Sequence, residues 1–339
     1  MANIIWKINL INSETLVLQE FFVLNTFKKM KNIILATMLL FTTLLFSQEK
    51  ILTEEIEINT LIKGTLFSPE KVNKKTKLVI LIAGSGPTNR NGNSIITGVN
   101  NSYKFLAEGL SKNGLAVFSY DKRGLNKQNI NANDERTVVF EDFINDAKDV
   151  ISYFKAQKKY SKIIIAGHSE GSLIGMIASK NNVDGYISIA GAGRPINEVL
   201  SEQVAKNTPF LKEATDKNLE LLKEGKTFEN KNPMLSSLFR ESIQPYMISW
   251  IKYNPRDEIK KLKIPILIIN GTKDIQVPET DAKLLQDSNP KSKLVIIENM
   301  NHIFKEIKID EDNLKSYSNP KLPVIPELIE CISKFTKSI

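Results

Sequence analysis

From Leu78 onward the chain alternates short, continuously apolar runs with longer segments of helical spacing. The apolar runs are Leu78–Ala83, Leu115–Tyr120, Ile163–Ala166, Tyr186–Ala190, Ile266–Ile269 and Leu294–Ile297. They are apolar throughout rather than at every second position, the signature of strands covered on both faces. Between them, Tyr103–Asn113, Phe140–Gln157, Ser172–Lys180 and Glu279–Asp287 repeat apolar residues at helical intervals. Strand and helix in alternation imply right-handed crossovers and a mostly parallel, doubly wound α/β sheet. Ahead of the first run, Glu54–Thr60 and Leu61–Ser68 have the pattern of an antiparallel edge hairpin.

Two stretches depart from this rhythm. About 70 residues separate the Tyr186 run from the Ile266 run, with helical patterns at Ile196–Lys206, Pro209–Lys226 and Met234–Tyr253. That is too long for a crossover and too regular for a loop, so residues 191–262 are expected to form a helical cap inserted over one end of the sheet. The other stretch is N-terminal. Lys28, Lys29 and Lys31 precede a 14-residue apolar run, Ile33–Phe46, and Ser47 is followed by polar residues. Positive, apolar, small and polar is the order of a signal peptide, here over 30–47 with cleavage near Ser47. The run is short of the roughly 20 residues that span a bilayer. A retained N-terminal membrane anchor is the alternative. With Met30 as the natural start of the leader, residues 1–29 are expected to be an over-extended N-terminus, leaving 48–339 as the exported, periplasmic or extracellular domain.

Composition narrows the chemistry. The 339 residues hold 46 Lys and Arg against 38 Asp and Glu, a formal charge of +8, and are 42% apolar. The leader holds Lys7, Lys28, Lys29 and Lys31 against Glu14 and Glu20, which takes the mature chain to about +6. The basic residues lie in short clusters diluted by acids, a solvated surface rather than a nucleic-acid face. With the single Cys331 the chain can form no internal disulfide, and with His168 and His302 alone it has little material for a histidine-rich metal site. No cofactor, metal, nucleic acid or stable membrane anchor is expected.

The local sequence that carries chemistry is Gly167-His168-Ser169-Glu170-Gly171, between the Ile163 run and the helical segment that follows. This is G-x-S-x-G in a strand–turn–helix setting. A turn this tight projects the serine Oγ at the carboxyl edge of the sheet, and the glycines let strand and helix approach. A serine needs a base, and the base an orienting carboxylate. His302 follows the last strand, and Asp274 follows the Ile266 run, with Glu298 and Asp310 as weaker candidates. His168, inside the elbow, is expected to pack beneath the turn. The oxyanion hole needs two backbone N–H groups. Glu170 should supply one, and the glycine-rich loop Ala83–Gly92 the other, from Ser85 or alternatively Gly84. The turn Tyr120–Gly124 is expected to be architectural, with Asp121 and Arg123 bracing neighbouring loops.

These pieces together resemble the α/β-hydrolase superfamily and, within it, bacterial esterases of the EstD type, often labelled serine-aminopeptidase-like hydrolases. The resembling segments are Gly84–Gly92, Tyr120–Gly124, Gly167–Gly171, Gly271–Pro278 and Asn301–Phe304. The resemblance implies hydrolysis of small carboxylic esters by Ser169, Asp274 and His302 through an acyl-enzyme. There are departures. Asn89 and Asn91 stand where the family loop usually has aspartates, and Asn126 where it has a glycine. A serine at the elbow excludes dehalogenase and epoxide-hydrolase chemistry, which use aspartate there. A peptidase or amidase with the same triad is one alternative, and a non-catalytic binding protein on this scaffold another. In the cap, Met234, Leu235, Leu238, Phe239, Met247 and Trp250 are mostly expected to be core, with one or two lining an acyl pocket.

Overall fold

A computed structural model describes residues 28–31, 50–94, 98–123, 125 and 134–339. The chain divides into two compact units, Met1–Glu49 and Lys50–Ile339. In the first, 28–31 form a helical turn. The apolar run Ile33–Phe46 and Ser47 lie outside the described residues, as does Asn126.

Among the described residues of the second unit, the strands are Ile51–Glu57 (β1), Lys63–Pro69 (β2), Leu78–Ile82 (β3), Ala116–Tyr120 (β4), Ile163–His168 (β5), Gly185–Ile189 (β6), Ile266–Gly271 (β7) and Lys293–Ile297 (β8). They form one sheet in the order β1-β2-β4-β3-β5-β6-β7-β8. β2 runs antiparallel to β1 and β4, and the remaining pairs are parallel. The hairpin and the doubly wound sheet are those the apolar pattern predicts.

The principal helices are Ser102–Lys112 (α1), Phe140–Gln157 (α2), Glu170–Ser179 (α3), Ile196–Asn207 (α4), Lys212–Lys223 (α5), Gln244–Ile251 (α6), Pro255–Lys260 (α7), Glu279–Ser288 (α8) and Pro326–Ser338 (α9). They cover both faces of the sheet. Along β3, Leu78, Ile80 and Ile82 enter a core shared with Ile144, Ile151 and Phe154 of α2 and Ile174 of α3. Val79 and Leu81 enter the opposite core, with Leu106 and Leu110 of α1 and Leu328 and Ile332 of α9. The period-two split explains the continuous apolar runs, since both faces of each strand must be hydrophobic. β8 is the exception: it pairs only with β7, and of its residues only Ile297 is buried. As an edge strand it is covered less than the apolar run implies.

Between β6 and β7 lie α4 to α7 with short helical turns. The segment Met234–Tyr253, which reads as one helix, is broken. Arg240 is extended (φ −55°, ψ 144°), and α6 starts afresh with Pro245 in its first turn. Proline is tolerated there because first-turn N–H groups have no intrahelical acceptor. Gln244 ties the pieces together, its side-chain amide donating to the Phe228 and Phe239 carbonyls at 2.8 Å.

Candidate active site

β5 runs directly into α3 through Ser169, whose backbone sits at φ 53°, ψ −119°. A non-glycine residue at positive φ is strained and persists only where its surroundings impose it. Here close packing imposes it. A Cβ on Gly167 would lie 2.2 Å from the Gly171 carbonyl oxygen, and one on Gly171 would lie 2.4 Å from that of Ile82. Only glycine at both positions lets α3 seat against β5 and β3. The Ser169 N–H donates to the Ile189 carbonyl at 2.9 Å, fixing the turn to β6. The helix starts at Glu170, earlier than the apolar spacing suggests, so the Glu170 N–H lies at the open N-terminal end of the helix.

The loops after β7 and β8 meet each other. A Cβ on Gly271 would lie 2.0 Å from the Met300 carbonyl oxygen, and the Lys273 N–H donates to that carbonyl at 3.0 Å. The Asp274 carboxylate is wholly buried. Its Oδ1 accepts the N–H groups of Gln276 (2.8 Å) and Val277 (2.9 Å), and its Oδ2 bonds His302 Nδ1 at 2.8 Å. The other two acid candidates stand apart. Asp310 pairs with Lys273 and is 76% exposed, and Glu298 is exposed. The His302 loop is held by Asn301, whose Oδ1 accepts from the Ile303 and Lys305 N–H groups, and by buried Lys305. The Lys305 ammonium donates to the carbonyls of Asn100 and Leu322, and burial pulls it down to about 8.

The His302 ring lies beside the elbow, its centroid 4.7 Å from that of His168. No hydrogen bond joins Ser169 to His302 among the described residues; such bonds often tighten only when substrate is bound. His168 does more than pack. Its Nε2–H donates to the His302 carbonyl at 2.9 Å, and its Nδ1 accepts from the Tyr103 hydroxyl at 2.7 Å. The Tyr103 oxygen in turn accepts the Gly84 N–H at 3.0 Å. Burial, then the neighbouring His302, holds the His168 imidazole well below its usual pKa, and burial keeps the Tyr103 phenol protonated. One buried chain of bonds thus links the loop after β3, the elbow and the His302 loop.

That leaves Gly84 without a free N–H, while the Ser85 N–H has no partner among the described residues. Gly84 packs against the elbow, since a Cβ there would lie 3.2 Å from Ser169 Cβ. The rest of this loop is an Asx turn. Asn89 Oδ1 accepts the N–H groups of Asn91 and Asn93, both at 3.0 Å. An aspartate would offer the same acceptor, so the amide at 89 preserves the turn. The Asn91 carbonyl accepts the first N–H groups of α1, from Tyr103 and Lys104.

The turn after β4 braces three neighbours. Asp121 takes the Arg90 N–H and guanidinium, and Arg123 grips Asp146 at 2.6 and 2.8 Å. Lys122, between them, donates to Glu170 Oε1 at 2.8 Å and to the Gly84 carbonyl at 3.1 Å. That ion pair is buried, with 6% and 1% of the two side chains exposed. The sequence pattern does not single out Lys122, Tyr103 or the polar role of His168, because their partners are distant along the chain.

Ser169, Ser85 and Glu170 open onto a cavity of about 710 Å³ between the sheet edge and the helices after β6. Leu238, Met247 and Trp250 line it with Phe143, Leu173 and Tyr246. Leu235 and Phe239 are core instead, and Met234 is 61% exposed. The charged lining is paired internally: Glu170 with Lys122, Glu135 with Arg240, Arg194 with Asp281 and Glu202, and Arg123 with Asp146.

The sheet order, with its antiparallel hairpin edge and mostly parallel remainder, and the strained strand–turn–helix elbow give the chain the α/β-hydrolase fold. Within it, the likeness is to the EstD type. Esterase EstD of Thermotoga maritima is 29% identical over 240 residues, 66% of this chain and 54% of that protein. The chain thus spans about half the length of that relative. The serine aminopeptidase family, S33, matches residues 97–246. Est1E from Butyrivibrio proteoclasticus, also determined with ferulic acid bound, has a TM-score of 0.52 at 16% identity, covering 84% of this chain and 96% of its own. A bromoperoxidase from Bacillus anthracis gives 0.50 at 16%, covering 84% and 100%. At these identities the structural likeness is one of fold.

Proposed function

We propose that the protein is a serine esterase that hydrolyses small, uncharged carboxylic esters through Ser169, His302 and Asp274. The observation that carries this reading is the 2.8 Å bond from His302 Nδ1 to a wholly buried Asp274 carboxylate, beside a serine held at φ 53°. Asp274 keeps the Nδ1 proton in place, which leaves Nε2 free to act as base. His302 takes the Ser169 proton as Oγ attacks the ester carbonyl. The oxyanion is received by the N–H groups of Glu170 and Ser85. The commitment of the Gly84 N–H to Tyr103 supports Ser85 over Gly84 as the second donor. The imidazolium then protonates the departing alcohol, and water repeats the cycle on the acyl-enzyme to free the acid. A cavity with apolar walls and internally paired charges supports an uncharged substrate.

The family match favours a second reading, an aminopeptidase or amidase with the same triad. A substrate ammonium would need an unpaired carboxylate. The carboxylates lining the cavity, Glu135 and Glu170, are both ion-paired, and Glu202, Glu213 and Glu220 are engaged or exposed. Aryl esters of graded chain length, assayed beside aminoacyl amides, separate the two. Ester turnover should dominate, and amide turnover of equal efficiency would overturn the esterase reading. Ser169→Ala should lower kcat at least about a thousandfold with an unchanged melt. A fluorophosphonate should label Ser169, and failure of both results would leave a binding protein on a hydrolase scaffold. Export through cleavage near Ser47 belongs to the same proposal. N-terminal sequencing of the protein from the cell exterior or periplasm tests it against a retained anchor.

A further inference from the structure

We propose that Lys122 is a positioning residue of the oxyanion hole. It is buried, lies 48 residues from its carboxylate partner, and makes two polar contacts that converge on the two proposed donors. One is to the carbonyl of Gly84, which belongs to the same peptide unit as the Ser85 N–H. No cis peptide occurs among the described residues, so that N–H points opposite to the carbonyl. Holding the carbonyl therefore sets the direction of the N–H. The other contact is to Glu170, whose own N–H begins α3. The Gly84 N–H is anchored independently by Tyr103, so the residue before Ser85 is fixed through both its polar groups. A cation on a carbonyl also polarises the peptide and strengthens its N–H as a donor. The Phe143 ring, 4.3 Å below the ammonium, closes the remaining side of Lys122.

A simpler role for the pair would be charge cancellation. Glu170 is negative and adjacent to the nucleophile, the wrong sign for a developing oxyanion, and Lys122 neutralises it. The two roles separate in a double variant. Lys122→Met alone strands a buried carboxylate and can fail to fold. Lys122→Met with Glu170→Gln removes both charges and keeps the backbone donors. Charge cancellation predicts recovery in the double variant, whereas positioning predicts none.

The proposal rests on the reading of Ser169 as nucleophile with Ser85 and Glu170 as donors. Its test is the double variant assayed on the preferred aryl ester and titrated with an aryl trifluoromethyl ketone, which adds Ser169 Oγ and places an oxyanion in the hole. The expected result is a fall in kcat of about ten- to a hundredfold, a parallel loss of ketone affinity, and KM within about threefold. A double variant with kcat and ketone affinity within about threefold of the parent would overturn it. Turnover surviving in Ser169→Ala would overturn the underlying site reading and this proposal with it. Loss in Ser169→Ala but not in the double variant would overturn the proposal alone.

Discussion

His168 shows what a single residue can contribute from beneath a strained strand–helix turn. Its two ring nitrogens face opposite partners, a hydroxyl that must donate and a carbonyl that must accept. Only the neutral Nε2–H tautomer satisfies both, because a second ring proton on Nδ1 would oppose the Tyr103 arrangement and place a charge beside His302. Folding therefore holds the imidazole neutral, while in the unfolded chain it titrates near 6.5. Below that pH the unfolded chain binds a proton that the folded one refuses, so stability rises with pH across the window. The contribution is complete above about pH 6.5 and is lost progressively as pH falls toward the depressed folded value. Urea melts from pH 5 to 7.5 should show this as a slope of up to about 1.4 kcal/mol per pH unit. In His168→Gln, which keeps a donor and an acceptor but cannot titrate, the slope should flatten. A parent and variant with identical slopes would show that the acid sensitivity lies elsewhere.

At the scale of elements, the elbow works because two segments are closer than side chains permit. Gly171 tests this without a dihedral complication, since it sits within α3 at ordinary helical φ. Alanine is the better helix former, yet its Cβ would meet the Ile82 and Ala83 carbonyl oxygens at 2.4 and 2.5 Å. Gly171→Ala should destabilise by at least about 2 kcal/mol and displace Ser169, the proposed nucleophile, with loss of activity exceeding loss of stability. Gly114→Ala is the contrast. It has a positive φ of 82° but open space around its Cβ, so its cost should stay near 1 kcal/mol with activity intact. Comparable effects in both would mean that α3 can shift away from the sheet. The same element logic explains which helices the sequence pattern reveals. α2 and α3 follow strands and carry long apolar stripes, whereas α9 is rich in Ser, Thr, Cys and Ile, weak helix formers. It forms because it docks on α1, where Gly109 leaves room for Ile329; a Cβ there would come within 2.4 Å of it. That support is tertiary, although Leu328, Ile332 and Phe335 do fall at helical spacing along it.

Across the whole molecule, what the sequence reveals of the site divides by the range of the interactions. The elbow is local, so five consecutive residues display it. Asp274 and His302 are 28 residues apart, yet each follows an apolar strand, and strand order brings them to one edge. The supports are different in kind. Tyr103 reaches His168 across 65 residues and Lys122 reaches Glu170 across 48. Tyr103 belongs to no motif, and Lys122 sits in the Tyr120–Gly124 turn with nothing local to name its partner; each acquires its role only when the sheet sets β3, β4 and β5 side by side. Both cores and every group of the proposed site lie within Lys50–Ile339, which is one compact unit. A chain beginning at residue 48 should therefore fold with the urea midpoint of the full chain and hydrolyse the same esters with kcat unchanged within about twofold. If the truncated chain lost stability or activity, the N-terminal residues would have to contribute packing to the folded protein, and their reading as a removable leader would fail.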